Sequence, residues 1–194
     1  MQHPSLSTRI QQAFAHTGRS DFMPQSELYR ANLDAPSPIG HGQTISQPTT
    51  VSHMLHWLAP DLGQRVLDVG SGSGWSSALL SYLVGENGEV FACERIPELK
   101  RFGEENCARF GCHNIHFFNC EDLSSLSEYA PFERILVSAA AQDDIPEELV
   151  KQLAPLGKLV VPVSNSIFEL KKDAAGQLDY CHEHPGYVFV PLIY

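Results

Sequence analysis

The sequence predicts an α/β protein: a Rossmann-like, doubly wound and mostly parallel sheet with helices on both faces, an antiparallel carboxyl-terminal edge and an amino-terminal helical extension. Two observations support this fold class. A strand-like apolar run at residues 66–69 ends in a series of glycines, and strand-like and helix-like segments alternate from Arg65 onward. The chain has 194 residues, a length that one domain can reach. We therefore expect a single domain over residues 1–194, with an amino-terminal segment at 1–60 and the sheet-forming core at 61–194.

The amino-terminal segment is expected to be partly helical. Residues 8–16 and 50–58 look helical in sequence. Between them, residues 33–40 contain two prolines, which lack a backbone donor, so we expect this stretch to be irregular.

The core is predicted to begin with a strand at 66–69, a helix at 75–83 and a strand at 89–93. A further helix runs from Pro97 to Gly111, because proline suits the first turn of a helix and glycine adopts the left-handed conformation that ends one. The alternation continues with three strands, predicted at residues 115–118, 133–138 and 158–162. A helix is predicted between the last two of them, at residues 146–153. Two antiparallel strands complete the sheet, predicted at residues 167–170 and 186–193 with a turn at residues 175–176.

Three alternating glycines, Gly70, Gly72 and Gly74, follow the first core strand, and Glu94 lies twenty residues beyond the last of them. Glycine lets the backbone turn sharply and approach a ligand closely. An acid at the end of the second strand can accept hydrogen bonds from both hydroxyls of a ribose. The pattern therefore predicts a nucleoside-binding turn.

The spacing of the glycines indicates which nucleoside is bound. A dinucleotide site needs a third small residue where Trp75 stands, and a phosphate-binding loop needs a Lys-Ser/Thr pair that this turn lacks. A short glycine turn with a ribose acid and no cation suits S-adenosylmethionine better than NAD. The alternative is a turn that only joins a strand to a helix.

Charge and composition exclude several classes of function. Lys and Arg number 13 against 23 acidic residues, a net charge of −10, which disfavours a large nucleic-acid footprint. No apolar run reaches the roughly 20 residues that span a bilayer, so we expect a cytoplasmic protein.

The cysteines and histidines do not predict a metal site. Five cysteines, with no CxxC pair, fit a reducing compartment, and most are expected to pack inside as small apolar residues. Residues 181–184 (Cys-His-Glu-His) and the pair His53 and His56 contain possible ligands, but no complete tetrahedral set has suitable spacing.

A second motif covers residues 38–48, Pro-Ile-Gly-His-Gly-Gln-Thr-Ile-Ser-Gln-Pro. Together with the glycine turn it resembles the protein-L-isoaspartate O-methyltransferase family, and it is far more specific than the turn. Matching segments extend along nearly the whole chain, at residues 21–24, 94–99, 130–132, 137–141, 145–146, 157–163 and 189–192.

The resemblance implies an S-adenosylmethionine-dependent enzyme, with S-adenosylhomocysteine as its product and no metal. Such an enzyme methylates the side-chain carboxylate of L-isoaspartyl, and to a lesser extent D-aspartyl, residues in damaged proteins and so starts their repair. The partners implied are isoaspartyl-containing proteins or peptides, with no nucleic acid and no membrane. We expect a monomer.

The reaction needs no general base, because a carboxylate with a pKa near 4 is ionised at neutral pH. The hydroxyls of Ser46 and Thr44 are suited to hold the carboxylate oxygen that does not attack, and the resemblance makes Ser46 the first choice and Thr44 the second. An alternative role for Ser46 is the N-cap of the helix beginning near Pro48.

The resemblance also implies a set of binding residues. Asp68, Gly70, Ser71 and Gly72 would surround the methionine part of the cofactor, although Asp68 is also suited to order the loop through hydrogen bonds. Glu94 would bind the ribose. Glu121 and Asp122 would lie near the adenine. The substrate lip, the edge of the site that faces the substrate, would consist of Ile39, Gly40, His41 and Gln43.

Three departures from the family pattern bear on these assignments. Residues 120–122 read Cys-Glu-Asp where the family usually has Gly-Asp-Gly. His41 replaces an aromatic Tyr or Phe, and Ser37 replaces a Leu, so the lip is more polar. The alternatives are a paralogue that methylates another carboxylate, such as a small molecule, and a non-catalytic module that binds S-adenosylmethionine.

Overall fold

The computed structural model describes residues 4–194. Its helices are α1 (Leu6–His16), α2 (Pro48–Leu58), α3 (Trp75–Val84), α4 (Pro97–Phe110) and α5 (Glu147–Gln152). Its strands are β1 (Ser37–Gly40), β2 (Gln43–Ile45), β3 (Arg65–Val69), β4 (Glu89–Glu94), β5 (Ile115–Asn119), β6 (Phe132–Val137), β7 (Leu153–Val163), β8 (Ser166–Lys172) and β9 (Leu178–Pro185). Short 3-10 turns lie at Arg19–Phe22, Gln25–Arg30 and Ser127–Tyr129.

Seven of the strands form one sheet in the order β5-β4-β3-β6-β7-β8-β9. The first five in that order are parallel, whereas β8 and β9 are antiparallel. The predicted Rossmann-like, mostly parallel sheet with an antiparallel edge is therefore confirmed. The carboxyl ends of parallel strands meet at one edge of a sheet, where such folds bind their ligands.

Both faces of the sheet are covered, and the central strands alternate between two buried clusters. Val66 belongs to the cluster beneath α1 to α4, while its neighbours Leu67 and Val69 belong to the cluster beneath α5. Successive side chains of a strand point to opposite faces, so a strand buried on both faces is apolar along its length.

The prediction that residues 33–40 are irregular is partly wrong. Ser37–Gly40 forms β1, which pairs antiparallel with β2 through Ser37 opposite Ile45. The turn of this hairpin is left-handed, with φ of 97° at Gly40, 54° at His41 and 71° at Gly42. Pro38 is tolerated because a two-stranded hairpin has only edge strands, where a missing donor costs little.

The prediction of a final strand at residues 186–193 is also wrong. The strand that pairs with β8 is β9, which is exposed along almost all of its length and therefore lacks the apolar pattern of a buried strand. The apolar residues that follow it leave the sheet instead. They lie along the loop after β6, where the Ala140 N–H donates to Val190 O (2.8 Å) and the Leu192 N–H donates to Ala140 O (2.7 Å).

The boundaries of α5 and β7 differ slightly from the prediction. The helix expected at residues 146–153 spans Glu147–Gln152 and passes directly into β7 at Leu153, five residues earlier than the predicted strand. No helix between residues 4 and 194 is both long and apolar enough to cross a bilayer.

The cysteines pack mainly inside, as predicted. Cys93, Cys107 and Cys120 are buried, Cys112 is half-buried and Cys181 is exposed. The sequence did not predict that the side chains of Cys93 and Cys120 meet. Their Cα atoms lie 5.6 Å apart, because Cys93 is in β4 and Cys120 directly follows the neighbouring strand β5.

Candidate active site

A cleft lies at the carboxyl edge of the parallel strands, with about 960 Å³ of empty space including its open mouth. Its walls are formed by the glycine turn after β3, the ends of β4 and β5, the loop after β6, and the hairpin segment, meaning the β1–β2 hairpin with Ser46 (residues 37–46). Residues 190–194 also line it. The cleft therefore brings together segments from the amino-terminal extension, the sheet and the carboxyl-terminal segment.

The glycine turn is fixed by the neighbouring strand. The N–H groups of Gly70 and Ser71 both donate to Cys93 O, at 2.8 and 3.1 Å. Gly70, Gly72 and Gly74 have φ of 77°, 51° and 87°, a region that L-residues rarely adopt. The glycines are thus needed for the shape of the turn, whatever it binds.

A fourth glycine, Gly103, supports this turn and was not among the residues predicted from the sequence. Gly103 lies inside α4, and a Cβ placed on it would come within 2.8 Å of Gly72 O and 3.1 Å of Gly74 N. A Cβ on Gly74 would likewise come within 2.8 Å of Gly103 O. The signal available in the sequence was a glycine in the interior of a helix, where it is normally unfavourable.

Glu94 is buried at the end of β4 and lines the cleft. Its Oε2 accepts a hydrogen bond from the Gly72 N–H and its Oε1 accepts one from the Ile96 N–H, both at 2.9 Å. A carboxylate has about four acceptor sites, so both oxygens retain capacity for hydroxyl donors. The carboxylate therefore supports the glycine turn and is also available to a ligand.

Asp68, at the end of β3, is completely buried and does not lie among the residues lining the cleft. Its Oδ2 accepts hydrogen bonds from the hydroxyls of Ser76 (2.7 Å) and Ser77 (2.6 Å), whereas its Oδ1 has no partner among residues 4–194. Burial raises the pKa of Asp68 to about 6, against its two serine hydrogen bonds. These contacts match the loop-ordering role, and the unpaired Oδ1 leaves the cofactor role open.

The chemistry of the cleft fits a cationic nucleoside. Three acids line it, namely Glu94, Glu121 and Asp122, and Arg95 is the one Lys or Arg among its lining residues within the described chain. Ser71 also lines the cleft, and its buried hydroxyl has no hydrogen-bond partner among residues 4–194. A sulfonium ion is stabilised by such an acidic lining, and an unpaired buried hydroxyl is suited to a polar ligand.

The two acids after β5 are not equivalent. Asp122 accepts hydrogen bonds from the Ser124 N–H (2.8 Å) and the Ser124 hydroxyl (2.7 Å), and these hydrogen bonds hold its pKa below the usual value. Asp122 is not among the non-glycine residues with positive φ in the described chain, so replacing a glycine there causes no backbone strain. Its hydrogen bonds to Ser124 leave Glu121 the less constrained of the two.

The substrate lip is divided between the cleft and solvent. The lip residues Ile39 and Gln43 line the cleft, together with the candidate catalytic residues Thr44 and Ser46, whereas the lip residues Gly40 and His41 lie exposed at the tip of the hairpin and do not line it. These two residues therefore depart from the position expected for them.

Ser46 is not the N-cap of α2, so that alternative is wrong. The N-cap is Gln47, which makes no side-chain capping bond. The carboxylate of Asp34 caps the helix instead, accepting hydrogen bonds from the Thr49 N–H (2.9 Å) and the Thr49 hydroxyl (2.7 Å). The Ser46 hydroxyl is thus not used to begin the helix.

Within residues 4–194, no three His, Cys, Asp or Glu side chains gather as a metal site. His184, one of the residues considered as a ligand, stacks on Trp57 with ring centroids 3.7 Å apart. His53 instead shares a hydrogen bond of 2.8 Å with the Tyr187 hydroxyl.

The fold and the cleft define the class of this protein as a Rossmann-like methyltransferase. Comparison with known proteins gives the family. Residues 2–194 match the protein-L-isoaspartate(D-aspartate) O-methyltransferase (PCMT) family, and the chain belongs to it.

Relatives and solved structures agree with this assignment. The chain is 46% identical over 158 residues to a protein-L-isoaspartate O-methyltransferase of Aeropyrum pernix, covering 81% of this chain and 60% of that relative. It is 39% identical over 172 residues to one of Fervidobacterium nodosum, covering 89% and 86%. A structure described as the Plasmodium falciparum enzyme, solved with S-adenosyl-L-homocysteine, superposes with a TM-score of 0.82 at 26% identity, covering 95% and 89%.

Proposed function

We propose that this enzyme transfers the methyl group of S-adenosylmethionine to the side-chain carboxylate of L-isoaspartyl residues in proteins. The observation that supports this function best is that one cleft joins the glycine turn and Glu94 to Thr44 and Ser46. A cofactor site and a set of hydroxyls suited to a carboxylate therefore face the same space. D-aspartyl residues are the minor substrate class, and both would be presented by damaged proteins or peptides.

The proposed reaction is a single displacement. A carboxylate oxygen attacks the methyl carbon, the O–C bond forms as the C–S bond breaks, and the sulfonium becomes the neutral thioether of S-adenosylhomocysteine. The product is a methyl ester, and no proton moves. No histidine lines the cleft within the described chain, and the reaction needs none, since the attacking carboxylate is already ionised.

The charges of this reaction explain why hydroxyls suit the substrate side. The carboxylate loses its negative charge as it attacks, so a cation held against it would stabilise the starting state more than the transition state. Neutral hydroxyl donors at Thr44 and Ser46 orient the carboxylate with less of this penalty. Ser46 is the first choice for holding the oxygen that does not attack.

The remaining assignments place the cofactor along the edge of the sheet. Asp68, Ser71 and the glycine turn lie on the methionine side, Glu94 binds the ribose, and Glu121 with Asp122 lies near the adenine. Holding the oxygen, methyl carbon and sulfur in line with water excluded can lower a barrier by roughly 7 to 11 kcal/mol in favourable cases. Residues 190–194, which line the cleft, help to exclude water.

The test is methyl transfer from labelled S-adenosylmethionine to two peptides that differ only in one isoaspartyl or aspartyl linkage. The isoaspartyl peptide should be labelled as a base-labile ester and its aspartyl twin should not. Labelling of neither peptide, with cofactor binding proven by calorimetry, would contradict the substrate and favour a small-molecule acceptor or a binding module. Absence of cofactor binding would contradict the cofactor as well.

The setting of the reaction is part of the same proposal. The net charge of −10 disfavours nucleic acid as the acceptor, and the expected state is a monomer in the cytoplasm. Sedimentation of the purified protein checks the oligomeric state.

A further inference from the structure

A buried arginine lies behind the substrate side of the cleft. Arg19, in the first 3-10 turn, is 7% exposed, and its guanidinium donates hydrogen bonds to six backbone carbonyls. These belong to Arg30 (3.4 Å), Ala31 (3.4 Å), Leu33 (3.3 Å), Ala35 (2.8 Å), Ile45 (3.3 Å) and Ser46 (3.2 Å). One side chain therefore joins the 30–35 loop to the two residues that end the hairpin segment.

The same guanidinium reaches the cofactor side. Its central carbon lies 5.7 Å from the centre of the Trp75 ring, and Trp75 begins α3 immediately after the glycine turn. The Trp75 indole N–H donates in turn to Thr17 O (3.2 Å), two residues before Arg19. Arg19 thus contacts the segment that carries Ser46 and the residue that follows the cofactor turn.

The charge of Arg19 is not neutralised by an ion pair. None of the ion pairs among residues 4–194 includes it, and Asp34 acts on it only through space. Carbonyl dipoles surround the cation instead. Arg19 is also absent from the residues lining the cleft, so it does not touch the proposed carboxylate, where a cation would reduce nucleophilicity.

We propose that Arg19 is a positioning residue that sets the location of Ser46 relative to the cofactor, and thereby the alignment of the attacking carboxylate. This inference rests on the proposed function. All six hydrogen bonds come from Nη1, which faces the carbonyls of Arg30, Ala31 and Leu33, and from Nη2, which faces those of Ala35, Ile45 and Ser46. The planar guanidinium holds these two groups in a rigid fork, which allows one side chain to join carbonyls on two sides. A lysine ammonium has three donors on a flexible stem and cannot hold all six carbonyls in place.

The kinetic test is a double-mutant cycle of Arg19→Lys and Ser46→Ala, with Arg30→Lys as the control. Arg30 lies in the same region, is half-buried and donates to Pro36 O (3.4 Å). R19K should lower kcat about tenfold while the dissociation constant of S-adenosylhomocysteine stays within twofold, and R30K should change neither. In the S46A background, R19K should lower kcat less than twofold, because residues that act through one contact are not additive. Equal losses in both backgrounds would overturn the proposal and assign Arg19 a purely structural role.

A second measurement does not depend on turnover. Hydrogen exchange of backbone amides in R19K should be at least tenfold faster at residues 43–47 than in the parent chain and unchanged in β3 and β4. Unchanged exchange at residues 43–47 would overturn the positioning role, even if the enzyme methylates no isoaspartyl peptide. Inactivity of the parent chain on the paired peptides contradicts the proposed function alone.

If R19K does not fold, Arg19→Ala with methylguanidinium supplies the missing group from solution. Rescue of kcat in a chain that keeps Ser46, and not in one that carries Ser46→Ala, is the expected result. Equal rescue of kcat in both chains would overturn the proposal. Absence of rescue in an Arg19→Ala chain that methylguanidinium has restored to the folded state would overturn it as well.

Discussion

The two sides of the cleft are built by different means. On the cofactor side, parallel strands in fixed register bring Val69 opposite Cys93, and backbone hydrogen bonds from the glycine turn to Cys93 O complete the arrangement. On the substrate side, the Arg19 side chain binds the carbonyls of Ile45 and Ser46 at the end of the β1–β2 hairpin, and the Asp34 side chain caps α2, which follows it. One side depends mainly on the backbone and the other on a few side chains.

This difference predicts how substitutions divide. Changes on the cofactor side should alter ligand affinity and stability, because the turn belongs to the sheet and its buried surroundings. Changes on the substrate side should alter turnover while leaving cofactor binding almost unchanged.

Asp68→Asn tests whether the cofactor side carries a buried, proton-linked carboxylate. Burial raises the pKa of Asp68 from 3.8 to about 6, which corresponds to roughly 3 kcal/mol at about 1.36 kcal/mol per unit. The folded state holds this proton more tightly, so the contribution of Asp68 to stability is full below the unfolded pKa and is lost as pH rises through about 6. Asparagine at position 68 does not titrate, so the variant does not lose this stability as pH rises.

We therefore expect the unfolding free energy of Asp68→Asn, relative to the parent chain, to increase by up to roughly 3 kcal/mol between pH 4 and pH 8. Urea unfolding of the ligand-free proteins at both pH values measures it. A constant difference between the two proteins would show that Asp68 does not titrate in this range.

Gly103→Ala tests the packing of α4 against the glycine turn. Alanine normally stabilises a helix relative to glycine by about 1 kcal/mol, but here its Cβ would lie 2.8 Å from Gly72 O. We expect the clash to dominate and to destabilise the protein by about 1 to 3 kcal/mol, with weaker binding of S-adenosylhomocysteine.

Urea unfolding and calorimetry measure the two effects of Gly103→Ala. Glu105→Ala, at an exposed position of the same helix, is the matched control and should leave binding unchanged. An increase in stability for Gly103→Ala would mean that the turn adapts to the added methyl group.

Glu94→Gln tests the ribose assignment. Loss of the charge weakens hydrogen bonds worth about 1.5 to 3 kcal/mol each when one partner is ionised, so the dissociation constant of S-adenosylhomocysteine should rise about 10- to 100-fold. The control is Glu98→Gln, an exposed acid in the first turn of α4. Calorimetry that gives the same affinity for Glu94→Gln and the parent chain would remove Glu94 from the ligand site.

Ser46→Ala is the complementary substitution on the substrate side. It should lower kcat about tenfold, the equivalent of about 1.4 kcal/mol, through loss of one hydrogen bond to the carboxylate. The affinity for S-adenosylhomocysteine should stay within twofold, because the proposed contact of the hydroxyl is to the substrate. If kcat and cofactor affinity fall by the same factor, the two sides of the cleft are not separate.

The sequence predicted the local structure of the cofactor side, namely the strand, the glycine turn and the next strand ending at Glu94, because the signals for it are local. The glycines, the strand before them and Glu94 follow one another at fixed spacing along the chain, and the sheet brings them together by its regular register. The wrong prediction at residues 186–193 has a physical reason, since β9 is an exposed edge strand without an apolar alternation.

The substrate side was less predictable because its contacts connect distant residues. Asp34 lies 15 residues from the Thr49 amide that it caps, and Arg19 lies 27 residues from the Ser46 carbonyl. Gly103 has the same character on the cofactor side, because the reason for a glycine there is a turn about 30 residues earlier. Neither spacing nor propensity encodes such contacts.

The acidic lining of the cleft has a further consequence for the exchange of ligands between turnovers. S-adenosylmethionine carries one more positive charge than S-adenosylhomocysteine, so the attraction exerted by Glu94, Glu121 and Asp122 weakens at the moment the methyl group leaves. S-adenosylhomocysteine is therefore held less strongly by these three acids, which still attract the next molecule of S-adenosylmethionine. Salt screens such fields beyond about 8 Å at physiological ionic strength. Added salt should therefore reduce the affinity for S-adenosylmethionine more than the affinity for S-adenosylhomocysteine. The ratio of the two affinities, which favours the replacement of product by fresh cofactor, should become smaller.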